Sequence, residues 1–338
     1  MSYAQTLNRL INGEDLSFEA MQNLMQQVMA GELTSAQIAG VLVALRIKGE
    51  TVDEIAAAAS VMRSLSTKVN IQEVSHLVDT CGTGGDGIQT FNISTVSAFV
   101  AAAAGAKVAK HGGRSVSSTC GSADVLEALG VNVNLTPEQV ANTVNQVGLG
   151  FMFAPNHHSA MKHAAPVRRE LGIRTLFNLL GPLTNPASAK RQVMGVFSRD
   201  LTGKLAHVLK QLGSEHVMVV CGADGIDEIS FTGDSHIAEL KDGKVLEYTV
   251  NPTQFGLNLH ELNSIRVNDA QESKQMILDL LAGKTGPARD IVLLNAGAAI
   301  YVAGISPTLA AGIHTAAEML DSGKALQKMQ ALISATKA

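Results

Sequence analysis

The stretch HLVDTCGTGGDG, residues 76–87, decides how the rest of the chain is read. His76 to Thr80 is a short apolar run that ends in glycine-rich sequence, the pattern of a buried strand. Beyond the glycines, Phe91 to Ala104 reads as a helix that stops at Gly105. Gly82, Gly84, Gly85 and Gly87 therefore sit between a strand and a helix. Such a loop lets backbone N–H groups crowd around an anion, and the helix N-terminus adds a favourable dipole. It is not a Walker A loop, because no Gly-Lys-Ser/Thr follows, and its glycines do not fall on G-x-G-x-x-G. A merely tight strand-to-helix turn is the plainer alternative.

Working outward, strand-like runs recur at Lys107–Lys110, Gly150–Ala154, Gln192–Phe197, His216–Cys221 and Asp290–Leu294, with helical patterns between them. Ser122 to Leu129 is one such helix, with Ser122 as its expected cap. Thr136-Pro137-Glu138-Gln139 opens another with an N-cap, an N1 proline and a capping box. This alternation predicts an α/β domain with a mostly parallel central sheet. Asp242-Gly243, between two alternating runs, predicts an antiparallel hairpin added to it. The first ~65 residues read as helices. Ser17 caps one whose apolar face is Met21, Leu24, Met25, Val28 and Met29, and Gly31 stops it. Thr34-x-x-Gln37 and Thr51-x-x-Glu54 are capping boxes for two more, the last with Ile55, Ala58, Ala59, Met62 and Leu65 on one face. Methionine at this spacing reads as core rather than as a ligand groove. The expected organisation is a small helical domain, residues 1–70, with part of ~160–185 returning to it, and an α/β domain, residues 71–338.

The length of 338 residues suits about two domains. The composition, 46% hydrophobic and 17% charged, excludes a wholly disordered chain. Lys plus Arg is 26 against 30 Asp plus Glu, a net charge of −4. That balance gives no electrostatic reason to expect nucleic acid or an anionic membrane as partner. Cys81, Cys120 and Cys221 are odd in number and form no C-x-x-C pair, which points to a reducing cytoplasm. The N-terminus carries no apolar signal-peptide core. The apolar run from Val96 to Ala104 is too short to span a bilayer.

Further motifs carry polar chemistry. Asn92-Ile93-Ser94-Thr95 stands where the helix after the glycine loop begins, placed either to cap it or to touch an anion or hydrated cation. Lys110-His111-Gly112-Gly113-Arg114-Ser115-Val116-Ser117-Ser118 joins two fixed cations to glycines and hydroxyls, a composition suited to a phosphate or pyrophosphate. Ser122 is placed to give its N–H and hydroxyl to the same anion. Asp227-Glu228 follows a strand, and adjacent carboxylates there suit Mg²⁺, which takes one or two carboxylates plus waters and phosphate oxygens. A surface acidic pair is the alternative. Arg168-Arg169 offers a bidentate clamp for a carboxylate, or a surface salt bridge. His157, His158 and His163 do not form a zinc pattern. No Ser-His-Asp set or activated thiol supports covalent catalysis, so no catalytic residue is assigned.

Together, DTCGTGGDG (79–87), FNIST (91–95), KHGGRSVSS (110–118), GSADVLEALG (121–130), APVRRELGIRTLFNLLGPLTNP (165–186) and GIDEIS (225–230) resemble the anthranilate phosphoribosyltransferase family of tryptophan biosynthesis. The motifs run in order over nearly the whole chain. The resemblance implies a helical domain beside a larger α/β domain, and a homodimer through the former. It implies a glycosyltransferase that moves ribosyl 5-phosphate from phosphoribosyl pyrophosphate (PRPP) to the amine of anthranilate, with Mg²⁺ as two ions. Gly82, Gly85, Asp86, Thr90, Asn92, Ser94, Thr95, Lys110, Arg114, Ser115, Ser117, Ser118 and Ser122 are then the expected PRPP contacts. Ser94, Asp227 and Glu228 are the expected metal ligands. Gly82, His111, Pro155, His158, Arg168 and Gly181 are the expected anthranilate contacts, Arg168 on the carboxylate. One departure is Gly113, where many members carry an asparagine placed at anthranilate, and Met161 stands where some carry an aromatic residue. The alternatives of the same fold are a pyrimidine-nucleoside phosphorylase, which would not use the Asp227-Glu228 pair, and a nucleic-acid-binding relative, which should be basic.

Overall fold

In the computed structural model, residues 2–114 and 120–337 are described. Four helices open the chain: α1 (Tyr3–Ile11), α2 (Phe18–Ala30), α3 (Ser35–Lys48) and α4 (Val52–Leu65). Their starts follow side-chain chemistry. Ser17 accepts from the Ala20 N–H, and Thr34 with Gln37 and Thr51 with Glu54 close reciprocal capping boxes. The methionine face of α2 is buried, as its spacing predicts. Leu65, expected on the buried face of α4, is instead 48% exposed in the last turn of the helix.

The α/β part then runs β1 (Leu77–Gly82), α5 (Ile93–Ala103), β2 (Lys107–Gly112), α6 (Ser122–Leu129), α7 (Pro137–Val147) and β3 (Leu149–Phe153). A helical excursion follows: α8 (Ala154–His157), a 3₁₀ turn (Ser159–His163), α9 (Ala165–Leu171) and α10 (Phe177–Leu180). Next come β4 (Arg191–Gly195), α11 (Asp200–Gln211), β5 (His216–Gly222), β6 (Ser235–Lys241) and β7 (Lys244–Val250). Four helices end the chain: α12 (Ala270–Leu281), α13 (Pro287–Val302), α14 (Leu309–Asp321) and α15 (Lys324–Ala335). Asp290–Leu294 is therefore helix, not the expected strand. Pro287 starts it at N1, and all but one of the residues from Ile291 to Val302 are buried. A helix buried all round has the same continuous apolar run as a buried strand.

The seven strands lie in the order β3-β2-β1-β4-β5-β6-β7. β3 to β5 across the centre pair in parallel, and β6 and β7 add in antiparallel fashion. The β6–β7 turn is the expected Asp242-Gly243, both at positive φ (50° and 73°), the twist a tight hairpin needs. Beside a smaller cluster that joins Val140 and Val144 of α7 to Leu77, Ala109 and Met152, two large cores form on opposite faces of the sheet. One joins α5, α6 and α12–α15 to residues such as Val78, Val193 and Met218. The other joins α2–α4 and α11 to Met194, Val217 and Val219, and takes in Val167, Phe177 and Leu180 from the excursion after β3. Arg63 of α4 donates to the carbonyls of Leu183 (2.6 Å) and Leu212 (3.0 Å), fastening the opening helices to the α/β part.

Candidate active site

The sheet order fixes where a site can form. The chain leaves β1 toward β2 and β3, then returns past β1 to build β4 on its other side. At such a switch point the loops diverge and open a crevice beyond the carboxyl ends of the strands. Those ends are Gly82 of β1 and Gly195 of β4, paired in register. The Thr83 N–H donates to the Gly195 carbonyl at 2.9 Å, and the glycine loop then turns over the crevice. Gly84, Gly85 and Gly87 all hold positive φ (60°, 76° and 77°), a path that side-chain-bearing residues rarely take.

The crevice is filled from β5. After Gly222 the chain makes a turn in which Asp224 accepts from the hydroxyls of Ser230 and Thr232, both at 2.7 Å. Asn295 of α13 fixes the following segment, accepting from the Ile229 N–H (2.9 Å) and donating to its carbonyl (3.0 Å). Asp227 is thereby pressed between the strand ends. A Cβ on Gly82 would strike its carboxylate, and one on Gly195 would strike its backbone carbonyl. Asp227 Oδ2 accepts from the Gly84 N–H at 2.9 Å. Burial, and then the charge of Asp86, push Asp227 up to about 7. Burial raises Asp86 as well. Glu228 lies well above its usual range through burial and the neighbouring Asp227, with the Ser94 backbone N–H near enough to oppose that shift in part.

Lys110, 2% exposed, stands opposite these carboxylates. It donates to Ser94 Oγ at 3.0 Å and to the Thr80 carbonyl. Burial lowers its pKa, with Asp79 the foremost charge opposing that effect. Three carboxylates whose ionised forms are disfavoured, against one ammonium, leave room for added positive charge. Two adjacent carboxylates and the Ser94 hydroxyl make the sparse oxygen set that suits Mg²⁺ shared with a phosphate. Among the described residues, no group of three or more His, Cys, Asp or Glu is arranged to enclose a metal by itself.

The other expected anion contacts are distributed unevenly. Thr95 Oγ1 donates to Ser122 Oγ at 3.2 Å, joining the starts of α5 and α6. Ser122 is the first helical residue, and Gly121 is the cap. Asn92 occupies the cap position of α5 without a side-chain cap bond. Its amide instead accepts from Ser273 Oγ (2.8 Å) and donates to the Cys120 carbonyl (3.1 Å). Thr90 forms an isolated antiparallel bridge with Arg266. Arg114 turns onto α6, binding Asp124 (2.9 Å) and Glu127 (2.6 Å). Ser115, Ser117 and Ser118 lie outside the described residues.

At the end of β2 a different environment begins. His111 Nε2 and His158 Nε2 are 3.2 Å apart, and the His111 ring also meets the Gly181 carbonyl. Burial, reinforced by neighbouring imidazoles, pushes His111 down to about 3 and His158 to about 4, so both rings are neutral at pH 7. Pro155 is exposed at the start of α8. Arg168 on α9 is half-buried, with its guanidinium 5.5 Å from the centre of the Phe177 ring. Burial lowers its pKa, and it forms no ion pair with any described residue.

Residues 4–66 match the family described as "Glycosyl transferase family, helical bundle domain", and residues 74–326 match "Glycosyl transferase family, a/b domain". The anthranilate phosphoribosyltransferase of Methylobacillus flagellatus is 66% identical over 332 residues, 98% of this chain and 97% of its own length. The chain belongs to the anthranilate phosphoribosyltransferase family. Two solved structures of family members agree. That from Thermus thermophilus is 42% identical with a TM-score of 0.92, covering 98% of this chain and 99% of its own. That from Saccharomyces cerevisiae, in complex with PRPP and Mg, is 27% identical with a TM-score of 0.90, covering 99% and 98%.

Set beside the family motifs, the structure adds residues that the sequence reading did not single out. Asp79, wholly buried, accepts from the His111 N–H (3.1 Å) and from Asn185 Nδ2 (2.7 Å). It thus ties β1 to β2 and to the segment before β4. A charge inside an otherwise apolar strand was the available signal. Thr80 supplies a carbonyl to Lys110 and its hydroxyl to the Ser94 carbonyl at 3.1 Å. Gly195 leaves space for Asp227, and Arg174 reaches the glycine loop.

Proposed function

We propose that the chain transfers the 5-phosphoribosyl group of PRPP to the amine of anthranilate, giving N-(5-phosphoribosyl)anthranilate and pyrophosphate. The observation that carries this reading is the glycine loop laid against Asp227, with Glu228, Ser94 and Lys110 in one contact chain. That constellation suits a polyanion brought with a divalent cation. Gly82, Gly85, Asp86, Thr90, Asn92, Thr95, Lys110 and Ser122 are read as PRPP contacts. Ser94, Asp227 and Glu228 are read as the Mg²⁺ set, for two ions. When bound, Mg²⁺ neutralises charge that develops on the departing pyrophosphate.

In the transfer, the C1–O bond breaks with its electron pair on pyrophosphate. The amine lone pair forms the new C1–N bond, and the nitrogen then gives one proton to solvent water. Lys110 stabilises the leaving group electrostatically from a buried position, where such an effect is large. The acceptor nitrogen is nucleophilic while neutral, so no strong general base is needed. Arg168 holds the carboxylate of anthranilate so that its nitrogen faces C1, with Gly82, His111, Pro155, His158 and Gly181 as its surroundings. His111 and His158, neutral at pH 7, line this region without adding charge.

We read residues 1–70, with part of ~160–185, as one domain and residues 71–338 as the other. The active form is read as a homodimer through the helical domain, in the cytoplasm. No helix among the described residues is long and apolar enough to cross a membrane.

The test follows the loss of anthranilate fluorescence with protein, PRPP and Mg²⁺, against controls lacking each. Loss that needs all three is expected. Asp227→Asn should then raise the Mg²⁺ concentration for half-maximal rate by at least ~10-fold, as expected when a charged ligand is lost. A folded wild-type protein that consumes no anthranilate would refute the proposal.

A further inference from the structure

Arg174 lies in the connection between α9 and α10, outside the residues given a role above. Its guanidinium sits 4.1 Å from the centre of the Phe197 ring, just beyond β4, and Nη2 donates to the carbonyl of Gly85 in the glycine loop. The contact spans 89 residues of sequence and joins the excursion after β3 to the loop.

The orientation of one peptide plane gives this contact its meaning. In a trans peptide, the carbonyl of residue 85 and the N–H of residue 86 point in opposite directions. Gly84 and Gly85 both hold positive φ, and glycine allows the plane on either side to turn at little cost. The loop alone therefore does not select which way the Gly85–Asp86 plane faces. A carbonyl oxygen turned into an anion cradle repels the anion, whereas an N–H attracts it. Stacking on Phe197 restrains the planar guanidinium, and the carbonyl is drawn to it.

Resting on the transferase reading, we infer that Arg174 is a positioning residue for PRPP. It holds the Gly85 carbonyl out of the cradle and presents the Asp86 N–H to the diphosphate instead. Arg174 need not touch the substrate. Its action is to remove an alternative loop state that binds the polyanion poorly, so PRPP need not select the competent one from a mixture. Lysine is a poor replacement, because an ammonium neither stacks as a plane nor offers a fixed fork.

The test uses the full chain with Arg174→Gln, Arg174→Lys and wild type. Arg174 is exposed, so these variants leave the core intact. Amide hydrogen exchange of residues 83–87 without ligands reads the loop directly, and steady-state kinetics read its use. Arg174→Gln should speed exchange at 83–87 and raise KM for PRPP about tenfold, the scale of one lost charge-assisted hydrogen bond, with KM for anthranilate changed less than about twofold. Arg174→Lys should restore neither. The inference is overturned if exchange and KM for PRPP stay at wild-type values in Arg174→Gln. It is equally overturned if both KM values rise together with a lowered thermal midpoint, the mark of a general structural role. Wild-type protein that folds but transfers nothing would sink the functional reading, while exchange at 83–87 would still decide the loop contact.

Discussion

Adding one methyl group at Gly195 and at Gly82 should have unequal effects, although the two glycines face each other across β1 and β4. At Gly82 the new Cβ meets the end of the Asp227 side chain, with Cγ at 3.1 Å, and a carboxylate can rotate. At Gly195 it meets the Asp227 backbone, with the carbonyl carbon at 2.5 Å and Cβ at 3.2 Å. The Asp227 carbonyl oxygen lies nearer still, and ordinary contact begins near 3.4 Å, so Gly195→Ala must move the Asp227 backbone or the end of β4 by well over 1 Å. Overpacking of this kind costs roughly 3 kcal/mol when backbone must give way, and about 1 kcal/mol when a side chain can swing aside. Displacing a binding group by about 1 Å can also cost on the order of 100-fold in rate. Urea unfolding with fixed m-value reads the first effect, and kcat/KM for PRPP at saturating Mg²⁺ reads the second. Gly195→Ala should be the more damaging in both. A Gly195→Ala protein as stable and active as Gly82→Ala would refute the reasoning, because the obstacle at position 195 would then not be backbone.

Two more expectations concern the acceptor side. Arg168→Ala should raise KM for anthranilate by roughly 10–100-fold, the value of a charge-assisted bidentate contact, with KM for PRPP little changed; equal effects on both would remove the assigned role. His111 and His158 have folded pKa values of about 3 and about 4, below the ordinary imidazole value near 6.5. Their contribution to stability is therefore complete above the unfolded value and lost as pH falls toward the folded values. The slope is at most about 1.4 kcal/mol per pH unit per histidine. Urea midpoints between pH 4.5 and 6.5 should fall with pH more steeply for wild type than for His158→Asn; parallel lines would show that the imidazole is not held neutral.

Local chemistry made much of this legible in the sequence. Caps such as Thr34 and Thr51, the Asp242-Gly243 turn and the glycine loop after β1 are each decided within a few neighbours. The run at Asp290–Leu294 misled because burial on all sides erases helical periodicity; Pro287 at N1 and the length of the apolar stretch were the better guides. Other residues were hidden by distance along the chain. Asp79 meets Asn185 across 106 residues, and Gly84 meets Asp227 across 143. Nothing local marks Gly195 as the place where another segment's backbone must pass. Arg114 pairs with Asp124 and Glu127 of the following helix, a pairing that the cations and hydroxyls of its own loop did not announce.

The seam between β1 and β4 has a consequence for synthesis on the ribosome. Until β4 emerges, the side of β1 that β4 will cover stays unpaired, and Asp227 has not yet been made. The nascent chain thus carries an open strand edge of apolar Leu77 and Val78 for more than 100 residues of translation, counting from Gly82 to Arg191. Such edges recruit stray strands. A pause or truncation in that interval is the moment of greatest aggregation hazard for this protein, and a chaperone that covers a lone strand edge would be most useful then.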